Sequence, residues 1–334
     1  MHMADALVTA PVAATMYGMS GITAGYSVHK VRLENNAKKI PVMGIMGAFV
    51  FATQMINFTI PGTGSSGHLC GGMLLSALLG PFAGFLTMIG VLLVQCLLFA
   101  DGGILALGCN VWNMAFYGCF LGALLIWRPA MKRGATKAKI LFASIAGCVL
   151  TLQLGAFSVT IETLLSGITE LPFKTFLLAM QPIHLAIGLV EGLITGAVLC
   201  FVHEARPELL WEVNEENKKE GRFSFETTMI ILLVASLVIG GIVSLFASSY
   251  PDGLEWSMER ITGSTELEAA GAVYETADSI VSATALLPDY AFKGTESALG
   301  TTFSGIVGAL IVLGVSVGVC YLFRFFKKKE KASN

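Results

Sequence analysis

Charge is what this sequence has least of. Only 13% of its 334 residues are Asp, Glu, Lys or Arg, about half of the roughly 25% typical of soluble chains. With 54% hydrophobic residues and a mean hydropathy of +0.73, that scarcity excludes an ordinary soluble domain. Alternation of apolar and polar residues is missing too. The apolar stretches run on for about 20 residues, which argues against a β-barrel and for helical spans. No Gly-x-x-x-x-Gly-Lys-Ser/Thr stretch occurs, so no ATP-binding loop is expected. His203-Glu204 lacks the second His of a zinc-protease helix, and there is no nucleophile elbow. These absences point away from enzymology and towards transport. The seven Cys all lie in or beside apolar segments, as packing residues rather than a disulfide framework. The first 28 residues have no Lys or Arg, and His2 and Asp5 precede the apolar stretch; no cleavable signal peptide is expected.

What is present is an all-α polytopic membrane protein with 37 Gly to let helices approach closely. Apolar blocks fall at about 6–29, 40–57, 69–100, 104–127, 138–162, 172–203, 223–248 and 301–325. The connections 30–39, 128–139, 204–222 and 324–331 hold 18 of the 21 Lys and Arg, and the positive-inside rule places all four in the cytoplasm. That requires block 69–100 to cross twice, turning at Gly80-Pro81, which makes about nine crossings with the N-terminus outside and the C-terminus inside. The polar stretch 204–222 is a cytoplasmic linker between a seven-helix module, 1–203, and a two-helix module, 223–334. The second module carries a long extracytoplasmic loop, 249–300, with nine Asp and Glu against Arg260 and Lys293. Two readings of that loop stay open: it concentrates cations, or it contacts the first module.

Among the five histidines, His29 and His203 cap helices on the cytoplasmic side. His2 and His68 both fall on the outer face, 66 residues apart but free to be neighbours in space. His68 follows a Gly-rich loop, Pro61-Gly62-Thr63-Gly64-Ser65-Ser66-Gly67, able to turn sharply. A free N-terminal amine, the amide nitrogen of residue 2 and the imidazole of residue 2 form fused chelate rings around one metal. A fourth nitrogen from His68 closes a square, a geometry suited to Ni(II) or Cu(II) rather than Zn(II). The competing reading makes His2 an incidental residue on a frayed terminus. His184 and Glu191 lie mid-span on one helical face, either in transport or in a structural His–Glu hydrogen bond. Asp101-Gly102-Gly103, Asn110 and Asn113 flank an outer turn that braces the His68 loop. Cys70 is a packing residue or a soft ligand, and the 14 Met serve packing.

Several motifs in order carry a resemblance. They are Met1-His2, Asn57-Phe58-Thr59-Ile60-Pro61-Gly62, Ser66-Gly67-His68-Leu69, Gly71-Gly72, Gln95 and Leu98-Phe99-Ala100-Asp101-Gly102-Gly103. Leu107-Gly108-Cys109-Asn110, Asn113-Met114 and His184 to Thr195 follow. Over about 1–203 the chain resembles the substrate-capture membrane subunit of cobalt/nickel energy-coupling-factor transporters, the CbiM/NikM type. Residues 223–334 resemble the small accessory CbiN/NikN-like subunit, through Pro251-Asp252-Gly253-Leu254-Glu255 and Pro288-Asp289-Tyr290, as though the two were fused. The resemblance implies a metal site of Met1, His2 and His68, with Ni(II) or Co(II) as transported substrate. Asp5, Asn57, Gln95, Asp101, Asn110, His184 and Glu191 are the residues expected around that site or along the transport path. It also implies a transmembrane coupling subunit and cytoplasmic ATPases as partners, in a prokaryotic plasma membrane. The outer turns depart from the family pattern at Cys70, Ala100 and Cys109, where Gly or a small apolar residue is expected. A stand-alone secondary metal carrier is the rival reading; it calls for intramembrane carboxylates, of which the sequence offers Glu191.

Overall fold

The computed structural model describes residues 1–31, 38–213, 221–295 and 297–333. Parts of two expected basic connections, 32–37 and 214–220, therefore lie outside the described residues. The chain is helical almost throughout. Helix α1 is Ala10–Lys30, α2 Lys39–Gln54, α3 Gly72–Leu79, α4 Pro81–Phe99, α5 Leu107–Met131, α6 Lys137–Leu165 and α7 Phe173–Ala205. After the linker come α8, Phe225–Gly241, and the last helix, Ala298–Ser333. Five stretches are long and apolar enough to cross a membrane: Pro81–Phe99, Leu107–Met131, Lys137–Leu165, Phe173–Ala205 and Ala298–Leu322. Lys39–Gln54 and Phe225–Gly241 are shorter apolar helices.

Block 69–100 does break where expected. Gly80 takes φ 79° and ψ 168°, which only Gly adopts without strain, and Pro81 opens α4. The eight residues of α3 are all buried, yet they rise only ~12 Å at 1.5 Å each, far less than a hydrocarbon core of about 30 Å. It is a short helix wrapped by its neighbours.

Small residues set the closest helix contacts. A methyl on Gly188 or Gly192 of α7 would stand 3.0 or 2.5 Å from the Cα of Val149 or Ile145 on α6. Gly240 and Gly305 touch backbone to backbone where α8 crosses the last helix. Gly lets backbones meet in lipid, where dispersion replaces the hydrophobic effect between helices. Large apolar side chains such as Ile22, Phe142 and Leu165 point outward and exposed, as a lipid-facing surface requires.

Above the helices sit the connections that build the site. A short antiparallel hairpin, β1 Phe58–Ile60 and β2 Ser65–Gly67, pairs Phe58 with Gly67 and delivers the chain to His68. The long loop carries two short helices, α9 Gly253–Thr262 and α10 Ala272–Thr284; the last helix is accordingly α11. That loop is bonded to the first module along its length. Ser66 N–H donates to Pro251 O at 2.8 Å, Ser248 N–H to Asn57 O at 2.7 Å and Leu287 N–H to Leu98 O at 3.1 Å. The Trp256 indole N–H reaches Thr63 O at 3.0 Å, and the Tyr274 hydroxyl reaches Val8 O at 3.0 Å. Below, α8 and α11 pack against α2 and each other. The two halves of the sequence share one body.

Candidate metal centre

The first seven residues are a strap held by hydrogen bonds, with Met1, Met3 and Leu7 buried, and not a frayed terminus. Met3 is fully buried and Met1 4% exposed. The Asn110 side chain pairs with Met3 as a peptide would: its Oδ1 accepts from Met3 N–H at 2.7 Å and its Nδ2 donates to Met3 O at 3.1 Å. Gly103 N–H donates to the same carbonyl at 2.9 Å. Asp5 Oδ1 accepts from Ala106 N–H at 3.0 Å. The two glycines of Asp101-Gly102-Gly103 make room for this strap. Gly102 has φ 84°, and a methyl on Gly103 would fall 1.8 Å from Asp5 Oδ1 and 2.5 Å from Asp5 N.

At the head of the strap the Met1 amine donates to His68 Nε2 at 2.6 Å and to Asp252 Oδ2 at 2.6 Å. The His68 ring is fixed from its other side. Its Nδ1 lies 3.0 Å from Leu69 O, and a carbonyl can only accept, so Nδ1 carries the proton and Nε2 presents a bare lone pair. The His2 ring stacks on that of His68, with centroids 5.2 Å apart and planes 16° from parallel. His2 Nδ1 lies 3.1 Å from Asp101 Oδ1. The other Asp101 oxygen accepts from the Tyr290 hydroxyl, which itself takes a hydrogen bond from Gln95 Nε2 at 3.2 Å. Asp252 is the N-cap of α9: its Oδ1 accepts from Leu254 and Glu255 N–H, and Glu255 Oε2 accepts from Asp252 N–H.

Electrostatics follow from this packing. Burial alone would lower the Met1 amine, but the Asp252 carboxylate outweighs it and holds the amine above its ordinary value near 8. Burial pushes Asp252 up, yet the charge of the adjoining Met1 amine brings it well below the usual carboxylate range. His2, shut from water, is driven down to about 4 despite Asp101, so at neutral pH it is an uncharged imidazole able to ligate a metal. Burial, with Glu191 nearby, pushes the Cys70 thiol up, as befits a packing residue.

The structure thus brings Met1, His2 and His68 to one point, with Asp5, Asp101 and Asn110 holding the strap beside them. Gln95 reaches the site through Tyr290, and Asn57 anchors the long loop through its carbonyl. One expectation needs correction. The His184–Glu191 hydrogen bond does not form: Glu191 accepts from Cys70 N–H at 3.0 Å and Gly71 N–H at 2.9 Å, pinning the turn after His68. His184 Nδ1 instead lies 2.8 Å from Met180 O. Three groups were not foreseen: Asp252, Tyr290, and a second buried carboxylate in the helices, Glu162, which accepts from Asn113 Nδ2 at 2.7 Å. Asp252 and Glu255 at capping-box spacing were readable, but their proximity to Met1 was not. Among the described residues no three His, Cys, Asp or Glu side chains are gathered as a ready metal cluster. A site at this point must draw on the main-chain nitrogens of residues 1 and 2. Over it lies a cavity of about 750 Å³ whose lining includes His2, His68 and eight Asp or Glu but neither Lys nor Arg.

A helical membrane protein whose amino terminus is buried against a histidine is the class these observations define. Comparison with known proteins is specific. Residues 2–209 match the family model described as cobalt uptake substrate-specific transmembrane region, and 226–325 match the PDGLE domain. The chain is 35% identical over 315 residues to a putative fused nickel transport protein NikMN of Archaeoglobus fulgidus, covering 94% of this chain and 96% of that protein. It is 30% identical over 295 residues to a probable fused nickel transport protein LarMN of Lactiplantibacillus plantarum, covering 85% and 86%. A crystal structure of a truncated transition metal transporter superposes with a TM-score of 0.54 at 31% identity, over 61% of this chain and 99% of that one. This chain belongs to the CbiM family of cobalt uptake substrate-specific membrane proteins, and carries a PDGLE domain in the same polypeptide.

Proposed function

We propose that this chain is the substrate-specific membrane component of an ATP-driven importer of Ni(II) or Co(II). The observation that carries the reading is the Met1 amine, buried and 2.6 Å from the bare Nε2 of His68. A chelate built on residues 1 and 2 needs its terminal amine at this place, beside an imidazole lone pair. On metal arrival the amine loses its proton to water and leaves Asp252, and the neutral His2 ring carries its one proton on Nε2 instead of Nδ1 as it leaves Asp101. The amine, the deprotonated His2 amide, His2 Nδ1 and His68 Nε2 then supply four nitrogens in a plane, the geometry Ni(II) favours. The acidic cavity above raises the local concentration of divalent cations and repels anions.

The rest of the reading follows from the charge pattern and the family. The N-terminus faces outside and the C-terminus the cytoplasm across about nine crossings, with the capture module 1–203 and accessory module 223–334 joined by 204–222. A transmembrane coupling subunit and cytoplasmic ATPases energise release inward. Nickel uptake into cells lacking their own importer, with and without those partner subunits, is the test. Uptake that needs the partners and ATP is expected; equal uptake from this chain alone would establish a stand-alone carrier instead.

A further inference from the structure

His184 repeats the chemistry of His68 deeper in the helices, outside the proposed set of four nitrogens. It lies in α7 with 1% exposure. Its Nδ1 is 2.8 Å from Met180 O, one helical turn back, and since a carbonyl cannot donate, Nδ1 holds the proton and Nε2 is left as a bare lone pair. That Nε2 is buried and has no hydrogen-bond partner. His184 borders a small cavity of about 10 Å³ shared with Met1, His68, Cys70 and Asp252. An imidazole whose second nitrogen is tied to a backbone carbonyl is oriented and tautomerically set as a metal ligand. Ionisable side chains at this depth in helical membrane proteins face the interior and serve transport as a rule.

We propose that His184 is the first inward relay for the metal: its Nε2 accepts the ion as it leaves the outer nitrogen set. Ligation passes from His68 Nε2 to His184 Nε2 through the shared cavity, with the ion's charge and oxidation state unchanged. Gly253 lines the same cavity. A methyl there would stand 3.2 Å from His184 Nε2 and 2.8 Å from Ile187 Cδ1, so glycine at this position leaves the lone pair open. The proposal rests on the import reading above.

The test uses the full chain with its coupling and ATPase subunits and Ni(II) as probe. His184→Asn keeps an N–H for Met180 O but supplies no imidazole lone pair. It is expected to bind Ni(II) within about threefold of wild type while uptake falls at least about tenfold. Gly253→Ala, whose methyl would crowd Nε2 and Cε1 while the imidazole itself is kept, should give the same split and stands in should His184→Asn fail to fold. Wild-type uptake by both variants would overturn the relay. Loss of affinity in parallel with uptake would also overturn it, by placing His184 in support of the outer set. No energised uptake by the wild type would instead overturn the import reading, and the relay with it.

Discussion

Blocking the Met1 amine is the most direct challenge to the proposed site. Nα-acetylation removes the charge and the lone pair together and adds three heavy atoms. Met1 is 4% exposed, and both partners of its nitrogen already stand at 2.6 Å, so the acetyl group has no space without displacing one. Two costs arise, and they are separable. The first is to the metal-free fold: Asp252 loses its buried cation, a loss worth about 3–5 kcal/mol where the carboxylate stays buried. The long loop can limit that cost by lifting Asp252 into water. The second cost falls on the metal. Removing a partner that merely supports a ligand costs 10–100-fold in affinity, so removing a ligand that closes a chelate ring should cost at least ~100-fold, about 2.8 kcal/mol. Competition titration of Ni(II) against a chromophoric chelator in detergent reads this directly. A three-residue N-terminal extension serves as a second variant. A single added residue would mislead, since it would place the imidazole at position three, where amine, two amides and imidazole form a planar set of their own. Nickel affinity within threefold of wild type in both blocked forms, with thermal unfolding still cooperative, would refute the site.

Other predictions follow from the same geometry. His68→Ala should lower Ni(II) affinity at least ~100-fold, whereas His29→Ala, at the far end of α1, should leave it unchanged; the same titration distinguishes them. Gly103→Ala places a methyl 2.5 Å from Asp5 N, against backbone that cannot yield cheaply, so the strap shifts and nickel binding falls about tenfold or more while membrane insertion persists. The sign of the pH dependence is set by the amine. Asp252 holds its proton on above the ordinary value near 8, so across pH 6–8 a metal must displace that proton and the amide's. Affinity should therefore rise about 100-fold per pH unit, while His2, driven down to about 4, adds nothing to the slope there; a flat profile would contradict the chelate. Asp252→Asn should lower the melting temperature of the metal-free chain more than that of the nickel-loaded chain, because the amine leaves Asp252 when it binds metal.

Much of the fold was readable because lipid punishes ambiguity. A helix must satisfy its own backbone, so continuous apolar runs translate into helices, and each expected block contains one. The break at Gly80-Pro81 was readable for the same reason: a left-handed glycine followed by proline cannot continue a helix. The edges were less readable. The first block was expected from residue 6, but α1 begins at Ala10, because Met3 is bonded to Asn110 and Gly103 and Asp5–Leu7 wind into a separate 3-10 turn. Hydropathy registers Leu7 and Val8 as membrane residues; here they are buried in the approach to the strap.

The site divides along a different line. Met1, His2 and His68 were candidates from ligand chemistry, since an imidazole at position 2 has a chelate within reach whatever the fold, and the family resemblance singled them out; the structure brings the three together. Their surroundings were not, because periodicity assigns a side chain to a helix face without choosing its partner. Glu191 shares a face with His184, yet two backbone N–H groups on the turn after His68 present it with a better pair of donors than a single imidazole. Asp252 shows the limit most clearly. Locally it is an N-cap, satisfied by Leu254 and Glu255, and one of its oxygens would suffice for that. The other oxygen is committed to an amine 251 residues away, a contact that exists only because the long loop seats on the hairpin. In the proposed site the amine can serve Asp252 or the metal, not both at full strength. Seating of the loop and occupancy of the site therefore draw on one nitrogen, and joining both modules in one polypeptide keeps that competitor always at hand.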